Sequence, residues 1–310
     1  QGARFFNTKI NNKNKIFAWI DKYSKIFRIT WQCWQVYKKT HPAIIICFGG
    51  YLTVPISLIA KLHKKSVIIY EQNAIAGNAN KFLLSFADIA YSGFPNAFKN
   101  HPKVKTLANP VRQELYNIPA PKQRYNLQQQ TLKILVLGGS QGARFFNTKL
   151  PYYLKELQKK IELKIEIWHQ SGIQDRQEDI YKIYDKSNLK NKVSNFINNM
   201  SEAYSWADLV ICRAGAMTVS EIIVTGIAAV FIPYPYAKQD HQTANAKILT
   251  NIGGAILIQQ QDIKEKIIPE LEKIFHKDKL LSMANIKHQT QTDNSLILLN
   301  KTLKKLLIKK

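Results

Sequence analysis

Cysteine and acid are what this chain is short of. Its three cysteines, Cys33, Cys47 and Cys212, stand far apart, with no CxxC pair and no cysteine–histidine cluster. That spacing excludes a disulfide framework and a structural zinc site, and it fits a reducing compartment. The seven histidines, at 41, 63, 101, 169, 241, 276 and 288, form no HxxxH pair. Acidic residues number 21 against 45 lysines and arginines, a formal net charge of +24. Such an excess suits nucleic acid, an anionic membrane surface or phosphorylated substrates, without choosing among them. No nucleic-acid recognition module is there to claim the charge, so a nucleic-acid partner is not expected. Long apolar runs are missing too. Residues 41–60, "HPAIIICFGGYLTVPISLIA", carry no formal charge, but Gly49-Gly50 and Pro55 interrupt them. A strand, a loop and a helix start explain the stretch better than a membrane span. No secretory signal is visible at the start of the sequence as given.

What is present is a globular composition, 45% hydrophobic over 310 residues, enough for one large domain or two ordinary ones. Residues 13–40 read as a helix, with Phe17, Ile20, Tyr23, Phe27, Trp31 and Trp34 near helical spacing among Lys22, Lys25, Arg28, Lys38 and Lys39. Strands follow at "AIIICFGG", "SVIIYEQN", "ADIAYSGF" and "KVKTLANPV", with a helix at "PISLIAKLHKK". The Pro- and Gln-rich stretch 118–130 reads as a linker. The pattern then restarts with strands at "LKILVLGG", "LKIEIWHQSG", "KVSNFI", "DLVICRAG" and "AAVFIPYP". Helices separate most of them, and "LILLNKTLKKLLIKK" ends the chain as a basic amphipathic helix. Strands alternating with helices predict α/β domains built on mainly parallel sheets. The expected division is an anomalous segment 1–12, a first domain 13–117, a linker 118–130, a second domain 131–290 and a terminal helix 291–310.

Two stretches carry chemistry. The first is strand, Gly138-Gly139-Ser140-Gln141-Gly142, helix. Glycines let the backbone turn tightly and approach a ligand, and a helix start supplies free N–H groups and a positive dipole end. A diphosphate fits such a cradle, as does a plain glycine turn with no ligand. The spacing is not GxGxxG. Its last nine letters, "QGARFFNTK", also open the chain at residues 1–9. That copy has no strand before it, so it is not expected to act as a second cradle. The second stretch is "CRAGAMTVSEI", residues 212–222. With a helix beginning near Thr218, Thr218 and Glu221 fit a capping box. The alternative is a carboxylate held near a helix N-terminus to accept hydrogen bonds from sugar hydroxyls. Both stretches fall at C-terminal strand ends, where open α/β sheets bind ligands.

Together "GGSQGA", "CRAGAMTVSEI", "YEQNAIAGNANKFL", "CFGGYLTVP", "ANPVR", "IWHQSG" and "DHQTANA" resemble the MurG family, the peptidoglycan glycosyltransferases that make lipid II. The likeness runs from about residue 13 to the C-terminus, with the motifs in the family's order and spacing. It implies two Rossmann-like domains facing a cleft (the GT-B fold). It also implies inverting transfer of N-acetylglucosamine from UDP-N-acetylglucosamine to undecaprenyl-pyrophosphoryl-N-acetylmuramyl-pentapeptide. The reaction would run at the cytoplasmic face of the membrane with no cofactor or bound metal. By the same resemblance Ser140 contacts the diphosphate and Ile197 gives backbone contacts to uracil. Ala216, Met217, Thr218, Val219, Ser220 and Glu221 line the nucleotide-sugar site, with Glu221 on the ribose hydroxyls. Gln242 contacts the sugar, and Asn73 and Arg112 reach across from the first domain. His241, in the same "DHQ" motif, is equally readable as a surface residue at a helix start.

The family opens with a strand and a GGTGGH-type loop whose histidine is a candidate base, and nothing like it is found here. The expectation is therefore a first domain truncated at its N-terminus, with little transfer by the chain as written. Glu71 is the base to test if transfer is full. Thr53-Val54 stands where the family usually has Ser-Gly, and Ala108 where Gly is usual. The other readings carried forward are a remnant that binds the UDP-sugar without catalysis, and a related nucleotide-sugar enzyme such as an epimerase. Trp19, Trp31 and Trp34 within the basic segment 13–40 suit either packing into the first domain or an interface on anionic lipid. The family's membrane-bound acceptor favours peripheral attachment.

Overall fold

The computed structural model describes residues 15–186, 189–286 and 295–308, with side chains from residue 24 onward. The duplicated segment at 1–9, and the side chains of Phe17, Trp19, Ile20 and Tyr23, lie outside the described residues.

The first unit begins with α1 (Lys15–Thr40), β1 (Ile44–Cys47), α2 (Thr53–Leu62), β2 (Ser66–Glu71), α3 (Asn78–Leu83), β3 (Ile89–Ser92) and β4 (Val104–Thr106). Its four strands pair in parallel, in the order β1-β2-β3-β4. All six residues of β2 are buried, as expected of a parallel strand covered on both faces.

A 3₁₀ turn at Gln113–Asn117 leads to α4 (Pro121–Arg124). The second unit holds β5 (Thr131–Leu137), α5 (Arg144–Gln158), β6 (Lys164–Gln170), α6 (Gln177–Asp185), β7 (Lys190–Ser194), α7 (Met200–Trp206) and β8 (Leu209–Cys212). It continues with α8 (Ala216–Thr225), β9 (Ala228–Phe231), α9 (His241–Thr250), β10 (Ala255–Leu257), α10 (Ile263–Glu272) and α11 (Lys277–Ala284). Its parallel sheet runs β10-β9-β8-β5-β6-β7. The last helix, α12 (Ser295–Ile308), returns to the first unit. There Leu299, Leu303 and Leu306 pack against Ile68, Tyr70 and Tyr91, and the Thr302 and Tyr91 hydroxyls are 2.6 Å apart.

The stretch read as a linker is fastened to the second unit instead of hanging free. Arg124 donates to the carbonyls of Tyr204, Thr225 and Gly226, which closes the carbonyl ends of α7 and α8. The Tyr125 hydroxyl donates to Asp208 O and accepts from Ala228 N–H. Composition marked 118–130 as polar. It did not mark Arg124 and Tyr125, whose partners lie 80 to 103 residues away.

The units meet through polar and apolar contacts. Phe94, Val111 and Leu115, all buried, join the apolar cluster beneath the second sheet. Asn109 donates to Gln72 O at 3.0 Å and to Ser220 Oγ at 3.0 Å. These contacts set the C-terminal ends of both sheets toward one cleft.

Candidate functional site: a nucleotide crevice facing a second cleft

β5 lies between β6 and β8, and the chain leaves it toward β6 first and reaches β8 only later. Such a reversal opens a crevice at the carboxyl ends of the strands. The glycine loop fills one side of it. Gly139 and Gly142 adopt φ of +89° and +84°, a region that costs other residues strain. Gly142 N–H donates to Gly139 O at 3.0 Å and closes the turn. A Cβ on Gly142 would stand 2.2 Å from Ser171 O, and one on Gly172 would stand 2.1 Å from Gly142 N. The loop is therefore pressed, backbone to backbone, against the end of β6. Ser140 is exposed at its tip, next to the first turn of α5, whose leading N–H groups have no partner within the helix.

A buried network stands behind this contact. Asn147 on α5 donates to Ser171 O at 2.9 Å and to Asp175 Oδ2 at 2.6 Å. Its Oδ1 lies 3.0 Å from His169 Nε2, and His169 Nδ1 lies 2.9 Å from the Tyr184 hydroxyl. Since Asn147 Oδ1 can only accept, the network assigns the proton to Nε2, and Nδ1 accepts from Tyr184. Burial pushes the His169 pKa down to about 3, so the ring stays neutral.

The next strand end joins the same site. Gln170, the last residue of β6, donates to Gly139 O at 3.2 Å and accepts from Ile197 N–H at 3.0 Å. Of the backbone groups of Ile197, which the sequence expects to contact uracil, the N–H is thus engaged by Gln170.

On the other side of the crevice α8 starts at Ala216, with Gly215 as its N-cap and no side-chain cap. Thr218 and Glu221 are thus inside the helix, and the capping-box reading fails. Glu221 Oε2 instead accepts from the Tyr204 hydroxyl at 2.9 Å. Burial pushes the Glu221 carboxyl above its usual range, while the Tyr204 bond and the Arg112 charge pull it back. Burial, and then the Glu221 charge, hold the Tyr204 hydroxyl well above its own range. Among the described residues nothing donates to Glu221 Oε1.

Not all six residues of the 216–221 run face the site. Ala216 and Val219 are both buried in the apolar cluster, Val219 fully so, with no face for a ligand. Ser220 is spent on Ala216 O and Asn109. Met217, Thr218 and Glu221 remain accessible. Gln242 on α9 accepts from Tyr234 N–H at 2.8 Å, which leaves its NH₂ to donate. Arg112 is exposed and acts on Glu221 by charge.

Across the crevice lies a cleft of about 590 Å³ lined by Phe48, Tyr51, Glu71, Asn73, Gln239 and His241, among others. Glu71 ends β2 and is only 3% exposed. Its Oε1 accepts from Asn73 N–H and Nδ2, and its Oε2 from Gly77 N–H and Asn80 Nδ2, at 2.8–3.1 Å. A carboxylate engaged by four donors is the fixture of the 72–80 loop, which argues against the base role considered from the sequence. Asn73 in turn accepts from Asn245 Nδ2 at 3.2 Å, and Asn245 also bonds Ala74 N–H and Ala214 O. One fully buried asparagine on α9 thus ties the 73–74 loop to the strand end that starts the 212–222 motif. Gln239 Nε2 reaches Asn78 Oδ1 at 2.6 Å, from a backbone with φ of +55°.

Sequence reasoning passed over Gln170, Asn147, Tyr204 and Asn245. Their signal was a polar residue at a position where the periodicity called for an apolar one, as in Asn245 beside Ala246 and Leu249.

Comparison with known proteins places this geometry. The C-terminal domain model of glycosyltransferase family 28 matches residues 133–297, and the N-terminal domain model matches residues 4–92. The chain is 42% identical over 262 residues to the UDP-N-acetylglucosamine–N-acetylmuramyl-(pentapeptide) pyrophosphoryl-undecaprenol N-acetylglucosamine transferase of Coxiella burnetii, covering 84% of this chain and 72% of that one. The transferase of the same name from Haemophilus influenzae is 39% identical over 259 residues, covering 84% and 71%. The crystal structure of Acinetobacter baumannii MurG superposes with a TM-score of 0.78 at 35% identity, over 90% of this chain and 79% of that one.

Proposed function

The chain belongs to glycosyltransferase family 28, and from that premise we propose that it moves N-acetylglucosamine from UDP-N-acetylglucosamine onto a polyprenyl-pyrophosphoryl muramyl-pentapeptide. The observation that carries the reading is the meeting of the glycine loop, the Gln170–Ile197 seam and Glu221 in one crevice. The diphosphate lies on the 138–142 loop by Ser140, where backbone N–H groups and the α5 dipole offset its charge. The base is held by the backbone at Ile197. Glu221 Oε1 accepts from the ribose hydroxyls, and Gln242 donates to the sugar.

The acceptor occupies the cleft beside Asn73. Its hydroxyl oxygen bonds to the anomeric carbon and passes its proton to water as the bond to the diphosphate oxygen breaks. UDP leaves, and the anomeric centre inverts. Arg112 adds positive charge on the leaving-group side.

The membrane face is read from exposed side chains. Phe27 is 74% exposed, and Ile26, Trp31 and Trp34 stand out of α1 among Lys25, Arg28 and Lys38. Exposed Leu62 ends α2, and Phe82 and Phe86 are exposed on and just past α3. Rings interleaved with cations suit the headgroup region of an anionic bilayer. No helix among the described residues is long and apolar enough to cross a membrane, and we take the attachment to be peripheral; the cytoplasmic face rests on the family resemblance. Transfer that runs faster on anionic than on zwitterionic vesicles is the expected signature, and equal rates would remove the membrane assignment.

Titration calorimetry checks the donor site. UDP and UDP-N-acetylglucosamine are expected to bind one per chain. Glu221→Ala is expected to weaken both by about 1–3 kcal/mol, a charge-assisted hydrogen bond's worth. Unchanged affinity in a folded Glu221→Ala protein would take Glu221 out of the site.

A further inference from the structure

Gln170 belongs to neither of the two motifs that define the crevice, yet its carboxamide bonds both the glycine loop and the segment that follows β7. It is 6% exposed and ends the strand that lies between β5, which leads into the glycine loop, and β7, which leads into residues 195–197. The neighbouring backbone is sewn in the same way: Ser171 N–H donates to Ser194 O and Gly172 N–H to Asn195 O. The Gln170 carboxamide reaches past β6 on both sides.

The orientation of each bonded group matters. Across a planar trans peptide the C=O and N–H point in opposite directions. Gln170 Nε2 and Gly142 N–H both hold the Gly139 carbonyl, so the Ser140 N–H is aimed the other way. At +89° in φ, Gly139 has more conformational freedom than any other residue type would have there, and an unheld peptide could flip. Toward β7 the Gln170 oxygen fixes the Ile197 N–H and with it the direction of the Phe196 carbonyl.

We propose that Gln170 is a positioning residue that couples the two ends of the nucleotide site, presetting the diphosphate-side peptide at Gly139–Ser140 and the base-side peptide at Phe196–Ile197 through one side chain. This rests on the nucleotide reading of the crevice. Its consequence is cooperative recognition. A base that settles against residues 196–197 steadies Gln170, and so steadies the loop that meets the diphosphate.

The test compares uridine with UDP on the full chain by calorimetry. The readout is the ratio of their dissociation constants, which measures what the diphosphate adds once the base is bound. In Gln170→Met, which keeps the bulk and loses both hydrogen bonds, the ratio is expected to fall roughly tenfold. The KM for UDP-N-acetylglucosamine should rise with it while the KM for the acceptor stays put. Should that variant not fold, Gln170→Glu is read in high salt, which screens its added charge. It can still accept from Ile197 N–H but cannot donate to Gly139, so uridine should bind nearly as before and the ratio should again fall. A ratio that does not change, whether both ligands weaken together or neither does, overturns the coupling and leaves Gln170 as packing. Failure of the unaltered protein to bind UDP would instead remove the nucleotide reading, and this proposal with it.

Discussion

Replacing Glu71 with alanine is expected to lower kcat/KM for transfer at least about a hundredfold, the scale of loss when a reacting group is misplaced by about 1 Å. The cause is positional. Glu71 accepts four hydrogen bonds from the 72–80 loop. Without it the Asn73 and Gly77 N–H groups lose their acceptor in a largely buried setting, and each orphaned donor costs about 1–3 kcal/mol. Asn73 would then leave Asn245, loosening the link between the first unit and the strand end at Ala214. The loss should appear mainly in the acceptor's KM and in a lowered melting temperature, with UDP affinity held, since the donor groups lie on the other unit. Steady-state kinetics at varied acceptor, with a melting curve, check this. If Glu71 were instead the proton acceptor, the loss would fall on kcat with the acceptor KM unchanged. Glu71→Gln sharpens the comparison, because its NH₂ would meet two donors where an oxygen now accepts.

The second expected result concerns acid. Folded His169 is neutral until about pH 3, whereas an unfolded histidine takes a proton near pH 6.5. Below that value the unfolded state binds more protons, so stability falls as pH drops from about 6.5 toward 3. At pH 5 this one residue should have cost about 2 kcal/mol relative to neutral pH. His169→Gln can accept from Tyr184 and donate to Asn147 without titrating. Urea unfolding at pH 7.5 and pH 5 should therefore show an acid loss smaller by about 2 kcal/mol in the variant. Equal losses in the two proteins would mean that the ring protonates freely in the folded state. The network it anchors also holds Ser171 against the glycine loop, and because the folded ring stays neutral until about pH 3, nucleotide affinity of the folded protein should not follow the acid loss of stability.

These effects show where sequence stops being legible. Strands such as "SVIIYE" and "LVIC" were plain because a parallel strand buried on both faces reads as a near-continuous apolar run through its middle. The glycine loop was plain because two left-handed turns and a close backbone approach leave few alternatives to glycine. By contrast α6, "QEDIYKIYD", was passed over although its two buried residues, Ile180 and Tyr184, stand four apart at helical spacing, because nine residues with two buried positions give a short pattern. The short α3 is held by the Glu71 carboxylate, a partner outside any helical pattern. Thr218 and Glu221 had the letters of a capping box, but the helix begins two residues earlier, at Ala216. Local spacing could not choose between those starts. Asn245 is the extreme case, since its partners at Asn73 and Ala74 lie 172 and 171 residues away. Motifs marked where the site would be, while the bonds that set its geometry run between segments that meet only in the fold.

The central claim is group transfer, and labelled sugar tests it most directly. The protein is incubated with UDP-N-acetylglucosamine carrying label in the sugar, and with a polyprenyl-pyrophosphoryl muramyl-pentapeptide in anionic or zwitterionic vesicles. The missing GGTGGH-type loop leads to an expectation of little transfer; the family membership leads the account to predict instead labelled glycolipid and free UDP appearing in equal amounts, faster on the anionic vesicles. Saturable binding of UDP-N-acetylglucosamine with no label reaching the lipid at any acceptor concentration would contradict it, and would leave a protein that holds the donor without using it.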